Sequence, residues 1–200
     1  MKRLLALLAT VVMVFQLQAQ DHNLLNSIKA TNSQIKSFDA DLANTTVKPK
    51  KSTTQLGKLY FVAPSEFSAL FDEQYMIVNE QKIKMDIGMF NGTYRLRDGG
   101  ILQSLANIFL YGFQGRIQQL ADENGYSLST KTEGGYHIVT GTIIKKKLIG
   151  IGYKQVIFKY HTDSLLLKEI VLCDYSGNVD TYTISNVKYD VKVDPKRFEF

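Results

Sequence analysis

The residues best suited to catalysis or metal binding are few and widely separated in this sequence. His22, His137 and His161 are far apart, and none has a partner at the spacing of a helical His-x-x-x-His metal motif. The single cysteine, Cys173, excludes an intramolecular disulfide and the usual structural zinc sites. It stands in an apolar strand pattern, which predicts burial rather than nucleophilic chemistry. We expect no catalytic residues, cofactor or metal, although a carboxylate pair assembled from distant positions stays open.

The charge balance argues against nucleic acid as a partner. The 200 residues include 24 basic and 19 acidic side chains, a formal net charge of +5. Lys2 and Arg3 belong to the segment described next, and without them the excess falls to +3, which is too small for recognition of a phosphate backbone. With 44% hydrophobic residues and only 3 prolines, the composition is typical of one globular domain.

The chain begins with the pattern of a secretory signal peptide. Lys2 and Arg3 precede an apolar run over residues 4–15, and a short polar segment follows it. The run has about a dozen residues, fewer than the roughly 20 that cross a bilayer as a helix. We expect cleavage after Ala19, with residues 1–19 removed and residues 20–200 exported as a single soluble domain. No cysteine near the cleavage point could carry a lipid anchor.

The spacing of apolar residues predicts two helices among many strands. A first helix is expected over 22–33, and a second, wider apolar helical face over 101–113. Alternation with period two predicts the strands, and the basic stretch 47–54 is interpreted as the loop of the first hairpin. The later strands are expected at 66–72, 75–79, 82–87, 93–97, 126–130, 136–144, 155–161, 165–173 and 179–189.

These elements predict an α+β fold with a strongly curved antiparallel sheet. Such a sheet, when it forms an incomplete, half-open β-barrel, leaves room for an apolar ligand, whereas a closed barrel of about eight strands is filled by its own side chains. The sequence is also rich in aromatic residues, with 11 Phe and 11 Tyr. An N-terminal helix and a central helix complete the prediction, and the central helix is open to interpretation as a lid or a plug. This combination favours a binding function.

Two segments carry a resemblance to a known family. The run from Gly57 to Phe67 is similar to a Gly-x-Leu, four-residue, Pro-x-x-Phe signature, with Pro64 as its proline. Near the end of the chain, the Gly177-Asn178 turn, the strand after it and a closing Asp-x-x-x-Phe-x-Phe over 194–200 follow the same family's pattern. The chain thereby resembles the periplasmic outer-membrane lipoprotein carriers of the LolA type.

The resemblance implies a function as well as a fold. It implies a periplasmic, monomeric carrier that binds the acyl chains of lipoproteins in an apolar cavity under a helical lid and takes them towards the outer membrane. Its partners would be an inner-membrane release complex and an outer-membrane acceptor. Carriers of this family usually have an arginine before the signature proline, where it ties down the lid; Ala63 stands there instead. A protein of the same architecture that binds another lipid, or serves as a sensor or partner module, is the alternative.

The alternating pattern also predicts which side chains face the concave side of the sheet and would contact a lipid. Because a shift of one residue inverts a whole strand, this assignment depends on the register. The same residues could instead fill a closed core, and the sequence leaves both possibilities open. The predicted lipid-binding residues are Leu59, Phe61, Phe71, Ile83, Met85, Leu102, Leu105, Phe109, Phe158 and Leu172.

Overall fold

The computed structural model describes residues 21–87, 90–96, 100–144 and 152–200. The predicted signal peptide lies outside the described residues. The helices of the described part are α1 (21–32), α2 (Ile101–Gln114) and α3 (Ile117–Asn124), and a short 3-10 helix covers Pro195–Phe198. Its strands are β1 (Ser37–Lys48), β2 (Lys51–Val62), β3 (Glu66–Phe71), β4 (Tyr75–Asn79), β5 (Lys82–Ile87), β6 (Phe90–Arg95), β7 (Tyr126–Glu133), β8 (Tyr136–Ile143), β9 (Tyr153–His161), β10 (Leu167–Asp174) and β11 (Val179–Tyr189).

All eleven strands form one antiparallel sheet. Their order is β6-β5-β4-β3-β2-β1-β11-β10-β9-β8-β7, so two meanders join where β1 pairs with β11. The edge strands β6 and β7 stand at opposite ends of this order, which leaves the curved sheet unclosed. The predicted α+β fold with a half-open barrel is confirmed.

The alternation of the strands places the apolar core on the concave face. In the β1–β2 ladder, Phe38 pairs with Phe61 and Ala40 pairs with Leu59, and all four side chains are buried. Helix α2 lies on this face, where the ring of Phe113 is 5.4 Å from that of Phe38 and 5.3 Å from that of Phe61. The central helix is therefore a plug in this structure. No helix within the described ranges is long and apolar enough to cross a membrane.

The first hairpin differs from the sequence-based interpretation. Its strands continue to Lys48 and resume at Lys51, so the predicted loop over 47–54 shrinks to a turn of two residues. Threonines favour extended backbone, and the hydroxyl oxygens of Thr45 and Thr54 are 2.9 Å apart across the ladder. The polar composition of this segment reflects exposure of both faces of the hairpin rather than irregular backbone.

Helix α3 was not predicted from the sequence. It has only eight residues, and its buried positions Ile117, Leu120 and Ala121 give little more than one apolar turn. Glycines at 115 and 125 end α2 and α3 in the left-handed conformation, with φ of 66° and 72°. The two helices are therefore joined by one tight connection, and α3 packs against β7 beside the plug.

The closing motif of the chain fastens the last residues to the convex face. The Phe198 side chain is buried, and its carbonyl accepts a hydrogen bond of 3.1 Å from the Asn79 side chain on β4. The guanidinium of Arg197 lies 4.9 Å from the centre of the Tyr60 ring on β2. The closing segment therefore packs on the convex face of the sheet, and α2 packs on its concave face.

Candidate functional site

The structure brings all ten predicted lipid-binding residues into one apolar cluster between the sheet and α2. Phe71, Leu102 and Leu105 are half-buried at the margin of this cluster. The other seven are fully buried: Leu59, Phe61, Ile83, Met85, Phe109, Phe158 and Leu172. Their placement on one face follows from the register, and their contact with a lipid stays a prediction.

The C-terminal half of α2 is fixed to its surroundings by hydrogen bonds. The buried Tyr160 hydroxyl on β9 donates to the Gly112 carbonyl at 2.9 Å. The Gln114 side-chain amide donates to the Pro64 carbonyl at 2.5 Å, and its oxygen accepts from Arg116 Nη1 at 3.0 Å. Because an unpaired buried polar group is costly, withdrawing this end of the helix would be unfavourable.

The position of the missing latch arginine lies beside one of these hydrogen bonds. Ala63 directly precedes Pro64, whose carbonyl accepts from Gln114. A polar link between this turn and the plug is thus present, but its donor comes from the helix rather than from the turn. The sequence offered no signal for Gln114, because the pairing depends on how the helix is oriented over the sheet.

Aromatic contacts hold the middle of α2. The Phe109 ring stacks on Phe67 at 5.4 Å and meets the edge of Tyr182 at 5.0 Å. Such pairs contribute about 0.5–1.5 kcal/mol each beyond the area that they bury. Burial raises the pKa of the Tyr160 and Tyr182 hydroxyls well above the ordinary value, so both stay protonated at neutral pH.

The N-terminal half of α2 is held far less. The helix begins after Gly100 without a side-chain cap and without an acidic residue in its first turn, and all residues over 101–105 are half-buried. The helix contains no charged residue. Some half-buried apolar side chains of β5 and β6, and of the residue just after β6, also pack against the core. They are Ile87, Phe90, Tyr94 and Leu96. Side-chain hydrogen bonds from Gln103 to Asn107 and from Asn107 to Glu123 on α3 hold this half of the plug, whereas its first five residues lack full burial.

Two cavities within the described part of the chain lie away from the ten predicted residues. One of about 10 Å³, room for roughly one water molecule, is lined by Phe38, Phe113 and Tyr189 among others. A second, of about 210 Å³, lies between α1, α3 and β7 and is lined by Asp21, His22, Leu25, Gln118, Leu128 and Thr130. None of the ten predicted residues lines either cavity. Side chains of α2 pack against Phe38, Phe61 and Phe67 on the concave face, so a ligand that bound to these residues would have to displace them.

The residues first considered for chemistry stay apart. His22 lies on α1, His137 on β8 accepts or donates a 2.8 Å hydrogen bond with Thr132, and His161 ends β9. Cys173 is half-buried rather than buried as predicted, since it lies on the face opposite Leu172. Burial, with Asp174 and Asp180 nearby, raises the pKa of its thiol. Among the described residues, no three potential ligands of the His, Cys, Asp or Glu type cluster around a metal position.

Comparison with known proteins shows the fold. No protein-family model and no curated protein matches the sequence. An uncharacterized conserved protein from Thermus thermophilus has a TM-score of 0.50 at 9% identity, over 90% of this chain and 94% of that chain. LolA superfamily protein NE2245 from Nitrosomonas europaea has a TM-score of 0.43 at 13% identity, over 88% and 97%. The Thermus thermophilus protein thus has a fold similar to that of this chain.

A third similar structure is a DUF1329 family protein from Desulfovibrio piger, with a TM-score of 0.48 at 14% identity over 92% of this chain and 97% of that chain. At these identities the likeness shows the fold alone. The activity therefore has to be argued from the site.

Proposed function

We propose that the protein is a periplasmic carrier that binds lipoprotein acyl chains against the concave face of its sheet and takes them towards the outer membrane. Residues 1–19 would direct its export. Its partners would be an inner-membrane release complex and an outer-membrane acceptor. The observation that carries the proposal is that the uncharged helix α2 packs on the apolar concave face, with no side-chain cap at its start and with residues 101–105 half-buried.

The energetics of exchanging the plug for a ligand are favourable. Moving the first turns of α2 exposes side chains that are already half in contact with solvent, such as Leu102 and Leu105. Each fully buried leucine contributes about 1.5–3 kcal/mol, and a half-buried one contributes less. An acyl chain contributes about 0.8 kcal/mol for each buried methylene, so a chain of twelve carbons has roughly 10 kcal/mol available. The hydrogen-bonded end of α2 would stay in place as a hinge.

A second candidate follows from the packed interior. Because the cavity beside Phe38 and Phe113 is small, a LolA-like protein that binds another lipid or acts as a sensor or partner module also fits the structure. The two candidates differ in what they bind. A carrier has to bind an acyl chain when it is free of lipid, and a partner module does not.

Displacement of an environment-sensitive apolar dye tests the proposal. We expect the delipidated protein to bind the dye and methyl laurate to displace it. Phe71→Gln removes a half-buried ring that lies over Gly57 on the concave face. It should weaken the binding of both the dye and methyl laurate several-fold. Leu56→Gln makes a comparable change on the convex face, where that side chain is 73% exposed, and should leave binding unchanged.

Mass spectrometry of what co-purifies with the exported protein separates the cargo classes. A lipidated protein fragment supports the lipoprotein carrier, and a simple lipid supports the alternative ligand. Absence of both dye binding and a co-purifying lipid would leave a partner module as the better account.

A further inference from the structure

A polar group interrupts the apolar concave face where β1 pairs with β11. The buried side chains of Ala40 and Leu42 alternate along β1, and the next positions on the same face are Asn44 and Thr46. The register places Asn44 opposite Tyr182 and Thr46 opposite Asp180. We call Asn44, Thr46, Asp180 and Tyr182 the β1–β11 polar group.

Asn44 is the unusual member of this group. The residue is only 8% exposed, and among the described residues its fully buried Oδ1 atom has no hydrogen-bond partner. Buried polar atoms in folded proteins nearly always have a partner, so an orphaned acceptor on a binding face indicates a donor that arrives from elsewhere. Next to Asn44 on β2, Gln55 is half-buried and Thr53 is exposed, which leaves this end of the concave face accessible from solvent.

The carboxylate of Asp180 determines which charge a ligand bound at the β1–β11 polar group can carry. Its carboxylate accepts a 2.5 Å hydrogen bond from the Thr46 hydroxyl. Burial raises the pKa of Tyr182 and Tyr153, and the negative charge of Asp180 raises the pKa of both further, which places that charge close to both rings. A second negative charge brought here by a ligand would be repelled.

The plug connects the β1–β11 polar group to the apolar cluster. Phe109 of α2 lies with its ring centre 5.0 Å from that of Tyr182 and contacts Phe67 on its other side. Because Phe109 lies beside Tyr182 and Tyr182 pairs with Asn44, an acyl chain that followed the apolar cluster past Phe109 would reach the β1–β11 polar group. The polar end of an amphiphile would then meet the orphaned acceptor.

We propose that the β1–β11 polar group binds the uncharged polar end of the acyl ligand, with a hydroxyl or amide group donating a hydrogen bond to Asn44 Oδ1. This inference rests on the proposed function and adds the class of headgroup. Esters without a donor and fatty-acid anions should bind less well, because the first cannot donate to Asn44 and the second brings a negative charge towards Asp180.

Three probes with the same twelve-carbon acyl chain test the inference on the full protein at pH 8. We expect 1-monolaurin, which has hydroxyl donors, to displace the apolar dye at about 10-fold lower concentration than methyl laurate, or about 1.4 kcal/mol. Laurate should be weaker than monolaurin by at least the same factor. Equal affinity for monolaurin and methyl laurate would overturn the inference while leaving the acyl-binding proposal intact; failure of all three to bind would overturn both.

Variants at one position show whether the orphaned oxygen is responsible. Asn44→Leu keeps the size of the side chain and removes its polar atoms, so it should abolish the preference for monolaurin but retain methyl laurate binding. It should also unfold at a higher denaturant concentration, since the buried unpartnered oxygen is gone. Asn44→Val is a second apolar replacement suited to a strand. Thr45→Val, one residue along on the opposite face, is the control and should keep the preference. A preference that survives in both Asn44 variants would overturn the inference.

Discussion

At the scale of single residues, Gly112 shows how closely the plug approaches the sheet. A Cβ atom at this position would lie 2.8 Å from Phe158 Cε1 and 3.3 Å from Ile170 Cδ1. Both neighbours are completely buried. Glycine inside a helix costs about 1 kcal/mol relative to alanine, and the close contact with the Phe158 ring explains why this helix contains one.

We therefore expect Gly112→Ala to lower the free energy of unfolding by about 1–3 kcal/mol, although alanine favours helix formation, because the added methyl overpacks the core. Chemical denaturation measures the change. Gly152→Ala is the control, since a Cβ atom there meets no described residue within 4 Å and the change should stay within about 0.5 kcal/mol. A Gly112→Ala variant as stable as the wild type would contradict the direct packing of α2 on β9.

Residues of the concave face could be predicted from the sequence, whereas their polar partners could not. Alternation is a local property of a strand, so the side chains of Leu59 and Phe61 lie on one face whichever strands pair with β2. The Tyr160 hydroxyl bonds to Gly112, 48 positions away, and that pair forms only once α2 has a fixed orientation. The buried Oδ1 atom of Asn44 could not be predicted either, because its burial depends on β11 lying beside β1.

At the scale of elements, α2 consists of two unequal halves. Its last two turns are buried and carry the hydrogen bonds from Tyr160 and to Pro64, whereas its first turn has neither cap nor full burial. Local opening concentrates where buried contacts are few. We interpret α2 as a plug in the ligand-free structure whose first half has the properties of a lid.

Hydrogen exchange of α2 tests this asymmetry. We expect the amides over 110–114 to exchange much more slowly than those of Ser104 and Leu105, which lie in the half-buried first turns of the helix. Tyr160→Phe removes the buried hydroxyl, should lower the free energy of unfolding by about 1 kcal/mol, and should speed exchange in the last turns. Tyr136→Phe is the control, because that hydroxyl has no hydrogen bond among the described residues, and exchange in α2 should not change. Uniform protection along α2 in the wild type would contradict a mobile first half.

The elements differ in how far the sequence predicted them. Strands such as Tyr75–Asn79 and Val179–Tyr189 agree with the predicted bounds, because each has a clear alternation between turn residues. Helix α3 is stabilised by contact with β7 and α2 rather than by its own sequence, so its eight residues gave no signal. The pairing of β1 with β11 joins residues more than 130 positions apart, and no local pattern contains that information.

At the scale of the whole molecule, buried tyrosines make the free energy of unfolding depend on pH. Tyrosines lie where the plug meets the sheet and along the seam between the two meanders. Burial raises the pKa of Tyr126 to about 12, with a smaller contribution from Tyr175, and raises the pKa of Tyr160 and Tyr182 well above the ordinary value. The folded state therefore retains these protons at pH values where the unfolded chain, with tyrosine pKa values of about 10, releases them.

Stability should consequently be constant with respect to these groups below pH 10 and should fall as the pH rises above it. Because the unfolded chain binds fewer protons there, each tyrosine with a raised pKa lowers the free energy of unfolding by about 1.4 kcal/mol per pH unit until its folded-state pKa is reached. Urea denaturation at pH 9, 10 and 11 measures the slope, and tyrosinate absorbance shows whether the buried rings ionise only on unfolding. Tyr160→Phe should reduce the slope between pH 10 and 11, whereas Tyr136→Phe is the matched comparison. Full ionisation of all 11 tyrosines near pH 10 in a protein that is still folded would contradict their burial against the plug.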